Sequence, residues 1–260
     1  MATLYLVGDS TMCYYDLTVE DTSFALPRNG YGTWLARNFN GSIFIKNLAL
    51  SGRSSKSFLT EDNYSHLKNN IKEGDFLVIG FGHNDQKFND ESRFTFGGGD
   101  ITDPRSFKYS IYNYYIKLAQ SVGATPILCT SICRRSPENE YKGDRIHSIG
   151  RVTCGGETFK ASDYAKAIRE LAKEFNLTLI DMTKATSQLY KKLGAKENVK
   201  FHATLSNRLD HTDNTHLNSY GAGVLANLWC SLLKKTDSPL KKYLVKSFYT
   251  PSYERDLIKN

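Results

Sequence analysis

Asp75-Phe76-Leu77-Val78-Ile79-Gly80-Phe81-Gly82-His83-Asn84-Asp85 is the stretch from which the fold is read. Four consecutive apolar residues, Phe76 to Ile79, are too few for a buried helix and suit a strand covered on both faces, as at the centre of a parallel sheet. Four further short apolar runs read as strands: Leu4 to Gly8, Ile43 to Ala49, Thr125 to Thr130 and Leu177 to Asp181, with the central one running Asp75 to Gly80. Between them lie segments of helical period, Tyr31 to Phe39, Tyr64 to Lys72, Arg105 to Val122, Ser162 to Phe175 and Thr183 to Leu193, and a last one follows at Asn218 to Lys234. In that last helix Tyr220, Val224, Leu225, Leu228, Trp229 and Leu232 recur at three and four residues, predicting one face laid on the sheet. Alternating β and α units with right-handed crossovers predict an α/β, doubly wound, three-layer architecture.

At 260 residues and 40% hydrophobic composition the chain is expected to form one domain with a substantial core. No apolar run approaches the ~20 residues of a membrane helix. The start of the chain has no basic region followed by an apolar stretch, so a cytoplasmic protein is expected, with a mature or cloned secreted form left open. Five cysteines, Cys13, Cys129, Cys133, Cys154 and Cys230, lack zinc-site spacing and read as free thiols, a Cys133 to Cys154 bridge staying open. From Lys234 on, seven Lys or Arg stand against three Asp or Glu, so that segment carries +4 of the formal +7. The excess gathers at the end of the chain, whose residues 236–260 read as a basic C-terminal extension, rather than forming a basic face across the fold, which argues against a nucleic-acid partner. A short helix at Leu240 to Val245 or a dimer contact is expected of it.

Chemistry gathers at the ends of the predicted strands, where open α/β sheets place their sites. Ser10, in Gly8-Asp9-Ser10-Thr11, follows the first strand and is the candidate nucleophile, near the positive end of the helix to come. Read alone, an Asp-Ser pair such as Asp9 and Ser10 more commonly caps a helix or turn. Gly52, after the second strand, lets a backbone N–H approach a substrate oxygen, although a plain turn glycine fits as well. Asn84, after the third, offers a side-chain amide; with the N–H groups of Ser10 and Gly52 it makes a candidate oxyanion hole. Asp85 is read as securing that loop. Asp213 and His216, three apart in a loop before the final helix, are the candidate orienting acid and base, with Nε2 of the imidazole left to face Ser10. The pair Asp210 and His211 is read as surface loop.

The blocks Gly8-Asp9-Ser10-Thr11, Asn47-x-Ala49-x-Ser51-Gly52-Arg53-Ser54-Ser55, Phe81-Gly82-His83-Asn84-Asp85 and Asp213-Asn214-Thr215-His216-Leu217-Asn218 resemble those of the SGNH hydrolases, or GDSL-type esterases. The likeness runs from about Thr3 to Trp229 and is greatest to the rhamnogalacturonan acetylesterase branch. It implies a flavodoxin-like five-stranded parallel sheet of order 2-1-3-4-5 and hydrolysis of an acetyl ester through an acetyl-serine, without metal or other cofactor. It also implies an acetylated carbohydrate partner, here an oligosaccharide already imported into the cell.

Around the core set, Arg134, Arg135 and Arg151 lie on the long irregular stretch Arg134 to Lys160 and suit uronate carboxylates, or are solvated loop charges. His83 either lines the pocket or holds the oxyanion loop. His66, His83, His147 and His202 lack the spacing of a metal site. Gly97-Gly98-Gly99 has no phosphate-loop Lys and reads as a hinge or rim. Within the same enzyme class the alternatives are a thioesterase or lysophospholipase and an acetylxylan esterase; outside it, a non-catalytic carbohydrate-binding protein.

Overall fold

The computed structural model describes residues 1–16, 23–141, 143, 147, 151–160, 163–206 and 212–259. The strands are β1 (Ala2–Gly8), β2 (Phe24–Leu26), β3 (Ile43–Asn47), β4 (Phe76–Gly80), β5 (Thr125–Cys129), β6 (Val152–Cys154), β7 (Glu157–Phe159), β8 (Thr178–Ile180), β9 (His202–Leu205) and β10 (Thr212–Leu217). Five of them form a parallel sheet of order β3-β1-β4-β5-β8, which is 2-1-3-4-5 counted along the expected strands. Register aligns the strand ends that matter, with Gly8 beside Gly80.

The sheet is covered on both faces because successive side chains of a strand point to opposite sides. Leu4, Leu6, Phe76, Val78 and Ile127 enter one core, against the helices Tyr31–Leu35 and Ser219–Leu233. Tyr5, Val7, Leu77, Ile79 and Leu128 enter the other, against Asp62–Asn70, the helical run from Phe107 to Ser121 with its π-helical turn Tyr112–Ile116, and Tyr164–Glu174. The last of these starts at Tyr164, and the expected start at Ser162 lies outside the described residues.

In Ser219–Leu233 the buried stripe is Ala222, Leu225, Ala226, Trp229, Cys230 and Leu233. It is rotated from the expected face: Tyr220, Val224, Leu228 and Leu232 are only partly buried. The small residues set this rotation, since a Cβ on Gly221 would stand 2.0 Å from the carbonyl oxygen of Phe201. The basic extension packs as well. A 3-10 turn, Pro239–Tyr243, buries Leu240; Asn40 N–H donates to Tyr243 O, and Asn227 Nδ2 donates to Tyr249 O at 2.6 Å.

Two small antiparallel units were not anticipated: the sheet β10-β9-β2 and the hairpin β6–β7. Their strands are three to six residues long, and Thr-Asp-Asn-Thr-His lacks the apolar alternation that would mark a strand. All five cysteines are free. Among the described residues no helix is long and apolar enough to cross a membrane.

Candidate active site

Ser10 leaves the C-terminal end of β1 on a tight turn in which the N–H groups of Met12 and Cys13 donate to the Asp9 carbonyl at 3.1 and 3.0 Å. The Asp9 carboxylate accepts from the Thr11 N–H and hydroxyl, both at 2.9 Å. Among the described residues the next helix after Ser10 is the five-residue Tyr31–Leu35, whose first N–H is taken by Thr11 O at 3.0 Å and not by Ser10. Ser10 is instead fixed by this turn and by Tyr15, whose hydroxyl donates to the Ser10 carbonyl at 3.1 Å.

The imidazole Nε2 of His216 lies 3.0 Å from Ser10 Oγ, and its Nδ1 lies 2.7 Å from Asp213 Oδ2. Asp213 and His216 sit within β10, not in a free loop. The strand is irregular there: pairing with β9 holds at Thr212 and Leu217 and shifts register between them. In that bulge Asp213 Oδ1 accepts from the N–H of Thr215 at 2.6 Å and of His216 at 2.9 Å, so the carboxylate organises both the backbone and the ring of its partner. Burial by itself would raise the Asp213 carboxyl. The hydrogen bond and charge of His216, with the two N–H donors, outweigh it and hold the carboxyl well below the usual carboxylate range. Behind the base, His202 Nδ1 donates to the His216 carbonyl at 3.1 Å. Burial first, then the Arg135 charge, push the His202 pKa down to about 3, so it acts as a neutral prop. Asp210 and His211 lie outside the described residues.

Gly52 and Asn84 arrive from the neighbouring strand ends. The chain after β3 stays on β1, with Leu50 N–H donating to Gly8 O at 3.1 Å, and then turns at Gly52 with φ +76°, a conformation that penalises a Cβ. Asn84 is 7% exposed, and its Nδ2 donates to Arg53 O at 3.1 Å. Gly82, at φ +150°, could not carry a Cβ either, for it would stand 2.6 Å from Ser131 Oγ. Among the described residues neither the N–H of Ser10 nor that of Gly52 has an acceptor. Asn47, quoted above only as part of its block, ties the two loops: its Nδ2 donates to Met12 O at 2.8 Å.

His83 is 4% exposed, its Nδ1 is 3.1 Å from His147 Nε2, and burial, with the charge of Arg134, drives its pKa well below the histidine range. Arg134 is half-buried; its Nε donates to Thr215 Oγ1 at 3.2 Å, and the Gln86 amide, with its carbonyl turned to the guanidinium, accepts from Nη2 at 2.6 Å. Among the described residues it meets no carboxylate at ion-pair distance. Arg135 sits on the outer side of β10, where its N–H donates to Asn214 O at 2.7 Å and its side chain borders a cleft of about 660 Å³ reaching Asp213. Arg151 is exposed at the foot of the β6–β7 hairpin.

The arrangement is an activated hydroxyl beside an oriented imidazole, with unused N–H groups and an amide on the adjoining loops, which is what acyl transfer requires. No protein-family model matches the chain. It is 28% identical over 255 residues to the rhamnogalacturonan acetylesterase RhgT of Bacillus subtilis, covering 93% of this chain and 94% of that one. It is 28% identical over 243 residues to the probable rhamnogalacturonan acetylesterase YesY of the same organism, covering 94% and 97%. A crystal structure of another Bacillus subtilis protein superposes with TM-score 0.65 at 23% identity, over 90% of this chain and 56% of that one, and so speaks for the fold. In its four blocks and its sheet order the chain resembles the SGNH hydrolases, and along more than nine tenths of its length it is similar to curated rhamnogalacturonan acetylesterases.

Proposed function

We propose that the protein is a serine esterase that removes O-acetyl groups from carbohydrate, with acetylated rhamnogalacturonan or a related pectic oligosaccharide as substrate. The observation that carries this reading is the run Ser10 Oγ, His216 Nε2, His216 Nδ1, Asp213 Oδ2, with links of 3.0 and 2.7 Å. Such a run lets the imidazole take the serine proton while the carboxylate fixes the tautomer and stabilises the imidazolium. The names borne by RhgT and YesY support the acetyl and pectic parts.

In the first half-reaction Ser10 Oγ attacks the acetyl carbonyl as its proton passes to His216 Nε2. The oxyanion is received by the N–H groups of Ser10 and Gly52 and by Asn84 Nδ2. His216 returns the proton to the departing sugar oxygen, leaving acetyl-Ser10. Water, deprotonated by the same nitrogen, then attacks the acyl carbon, the bond to Ser10 Oγ breaks, and His216 returns the proton to Oγ as acetate leaves. Arg134 is assigned to the carboxylate of a uronate in the substrate, because its guanidinium is held in place by Thr215 and Gln86 and, among the described residues, meets no carboxylate at ion-pair distance. Arg135, turned to the outer cleft, is assigned to a more distant sugar.

The test is turnover of a chromogenic acetate ester together with labelling by a fluorophosphonate probe. Wild type is expected to turn over and to be labelled once, and Ser10→Ala to do neither. A Ser10→Ala protein with wild-type turnover removes the nucleophile assignment. Acetate release from a panel of acetylated pectin and xylan oligosaccharides separates the pectic substrate from xylan. Turnover rising from acetyl to octanoyl esters would point to a lipid or thioester substrate instead.

A further inference from the structure

Beneath the two loops that bring Gly52 and Asn84 lies a carboxylate that the reaction above does not use. Asp85, next to Asn84, has 0% exposure. Its Oδ1 accepts from Ser55 Oγ at 2.6 Å and Thr95 Oγ1 at 2.8 Å, and the Ser55 N–H meets both carboxylate oxygens at 3.1 Å. Its main-chain carbonyl accepts from the Thr95 N–H and the Tyr164 hydroxyl, each at 3.1 Å. Ser55 is clamped from the far side by the Tyr115 hydroxyl, which donates to its carbonyl at 2.7 Å.

Three segments that share no strand or helix thus converge on one side chain: the Ser51 to Ser55 turn, the Gly82 to Asp85 turn, and Thr95 from the irregular stretch after it. Two of the three carry proposed oxyanion donors, Gly52 three residues before Ser55 and Asn84 immediately before Asp85. The Asn84 amide donates back to Arg53 O, so the loops are tied twice, once through each of two consecutive side chains. We propose that Asp85 is the positioning residue of the oxyanion hole, fixing the Gly52 N–H and the Asn84 amide at a single separation that favours the transition state over the bound ester. This rests on the esterase reading and extends it.

The choice of a carboxylate follows from the donors. Ser55 N–H, Ser55 Oγ and Thr95 Oγ1 all point at it, and a side-chain amide in its place would turn an NH₂ toward one of them. The choice is costly. Burial pushes the Asp85 carboxyl up to about 7 although Ser55 and Thr95 donate to it, and the nearby Asp9 charge adds to the rise. Tyr115 and Tyr164 are the other titratable groups packed around it. A buried acid maintained against that penalty, at a point where two donor loops meet, is explained by the geometry it enforces.

The experiment compares wild type, Asp85→Asn, Thr95→Val and Ser55→Ala on a chromogenic acetate ester, with kcat expressed per site labelled to completion by the fluorophosphonate. Asp85→Asn is expected to lose kcat by about 10²-fold, the scale of one lost oxyanion donor, with KM within about threefold. Thr95→Val and Ser55→Ala, each lacking one bond, are expected to lose roughly three- to tenfold. Introducing Asp85→Asn into Asn84→Ala should cost far less than in wild type, because the donor it positions is already gone. A merely structural role would lower the labelled fraction and leave kcat per site, KM and that additivity untouched, and this overturns the proposal. If Asp85→Asn does not fold, wild-type kcat in both Thr95→Val and Ser55→Ala overturns it. A wild type that neither hydrolyses the ester nor is labelled sinks the esterase reading and this one with it; an active wild type beside an equally active Asp85→Asn sinks this one alone.

Discussion

The nucleophile side and the base side of the site are built in different ways. Ser10, Gly52 and Asn84 follow β1, β3 and β4, three adjacent strands of one parallel sheet, and hydrogen-bond register carries their mutual placement: Gly8 pairs with Gly80, and Leu50 stays on Gly8. Asp213 and His216 ride on β10, which belongs to a separate antiparallel sheet. That arm is held by Asn29 N–H on Leu217 O and Arg135 N–H on Asn214 O, each at 2.7 Å, by Arg134 Nε on Thr215 Oγ1, by the burial of Leu217 in one core, and by the Asn218 side chain, which donates to the carbonyls of Lys200 and His202 at 2.9 Å each. The proposed oxyanion donors are therefore placed by the parallel sheet, whereas the reach of the proposed base to Ser10 is placed by a strap, the separate antiparallel sheet.

Beside the loss of Ser10 itself, the largest expected effects fall on Asp213 and His216. His216→Ala should lower kcat on a small acetate ester by about 10⁴- to 10⁶-fold, and Asp213→Asn by about 10⁴-fold, with KM little changed, since the triad acts as a unit. On the sheet side Asn84→Ala should cost about 10²- to 10³-fold in kcat. Steady-state kinetics of the three proteins checks the order. An Asn84→Ala loss equal to that of His216→Ala would mean that the amide does more than receive the oxyanion.

The same division separates what could be read in the sequence from what could not. Strand ends are marked locally, by an apolar run stopping at a polar or glycine-rich block, so the five strands and the positions of Ser10, Gly52 and Asn84 at their ends are legible in the pattern, whereas the sheet order came only with the family resemblance. The Asp213-x-x-His216 spacing announced the pair but not its setting: a bulged strand whose partner, β9, has no periodicity to betray it, and a His202 prop fourteen residues upstream. Asp85 was legible as a loop anchor. Its bonds to Ser55 and Thr95 were not, because they join positions 30 and 10 residues away through side chains, and no local preference encodes such contacts. The rotation of Ser219–Leu233 escapes the sequence for a related reason: Leu and Val spacing marks an apolar face, but the close approach of the chain at Gly221 leaves no local signal.

Asn218 sharpens the comparison at a lower level of energy. Asn218 is itself fully buried; its Nδ2 bridges two carbonyls and its Oδ1 caps the helix Ser219–Leu233 by accepting from Gly221 N–H at 2.9 Å. Asn218→Ala is expected to destabilise by about 1–3 kcal/mol through the lost cap and the unsatisfied carbonyls. Because the strap is what it holds, kcat should fall as well, which urea unfolding paired with kinetics at a temperature well below the transition will separate. A destabilised variant with wild-type kcat would mean that the strap is held elsewhere.

The smallest effect concerns two carboxylates shifted in opposite directions, one on each side. The Asp213 carboxyl lies below its ordinary value, so it stabilises the fold above the unfolded pKa of about 4, and that contribution is lost as pH falls from there through the lowered value. Asp85 is raised to about 7, so between about 4 and 7 the folded chain holds a proton that the unfolded chain has released. Across that window stability falls as pH rises, and above it the penalty is constant. Urea unfolding at pH 3.5, 5.5 and 8 should therefore show Asp213→Asn losing less stability than wild type between 5.5 and 3.5. Asp85→Asn should gain less than wild type between 8 and 5.5. Were both variants to keep the wild-type slopes, the charge on the strap and the charge beneath the oxyanion loops would be coupled to folding through other groups, and the contrast between the two sides would be one of geometry alone.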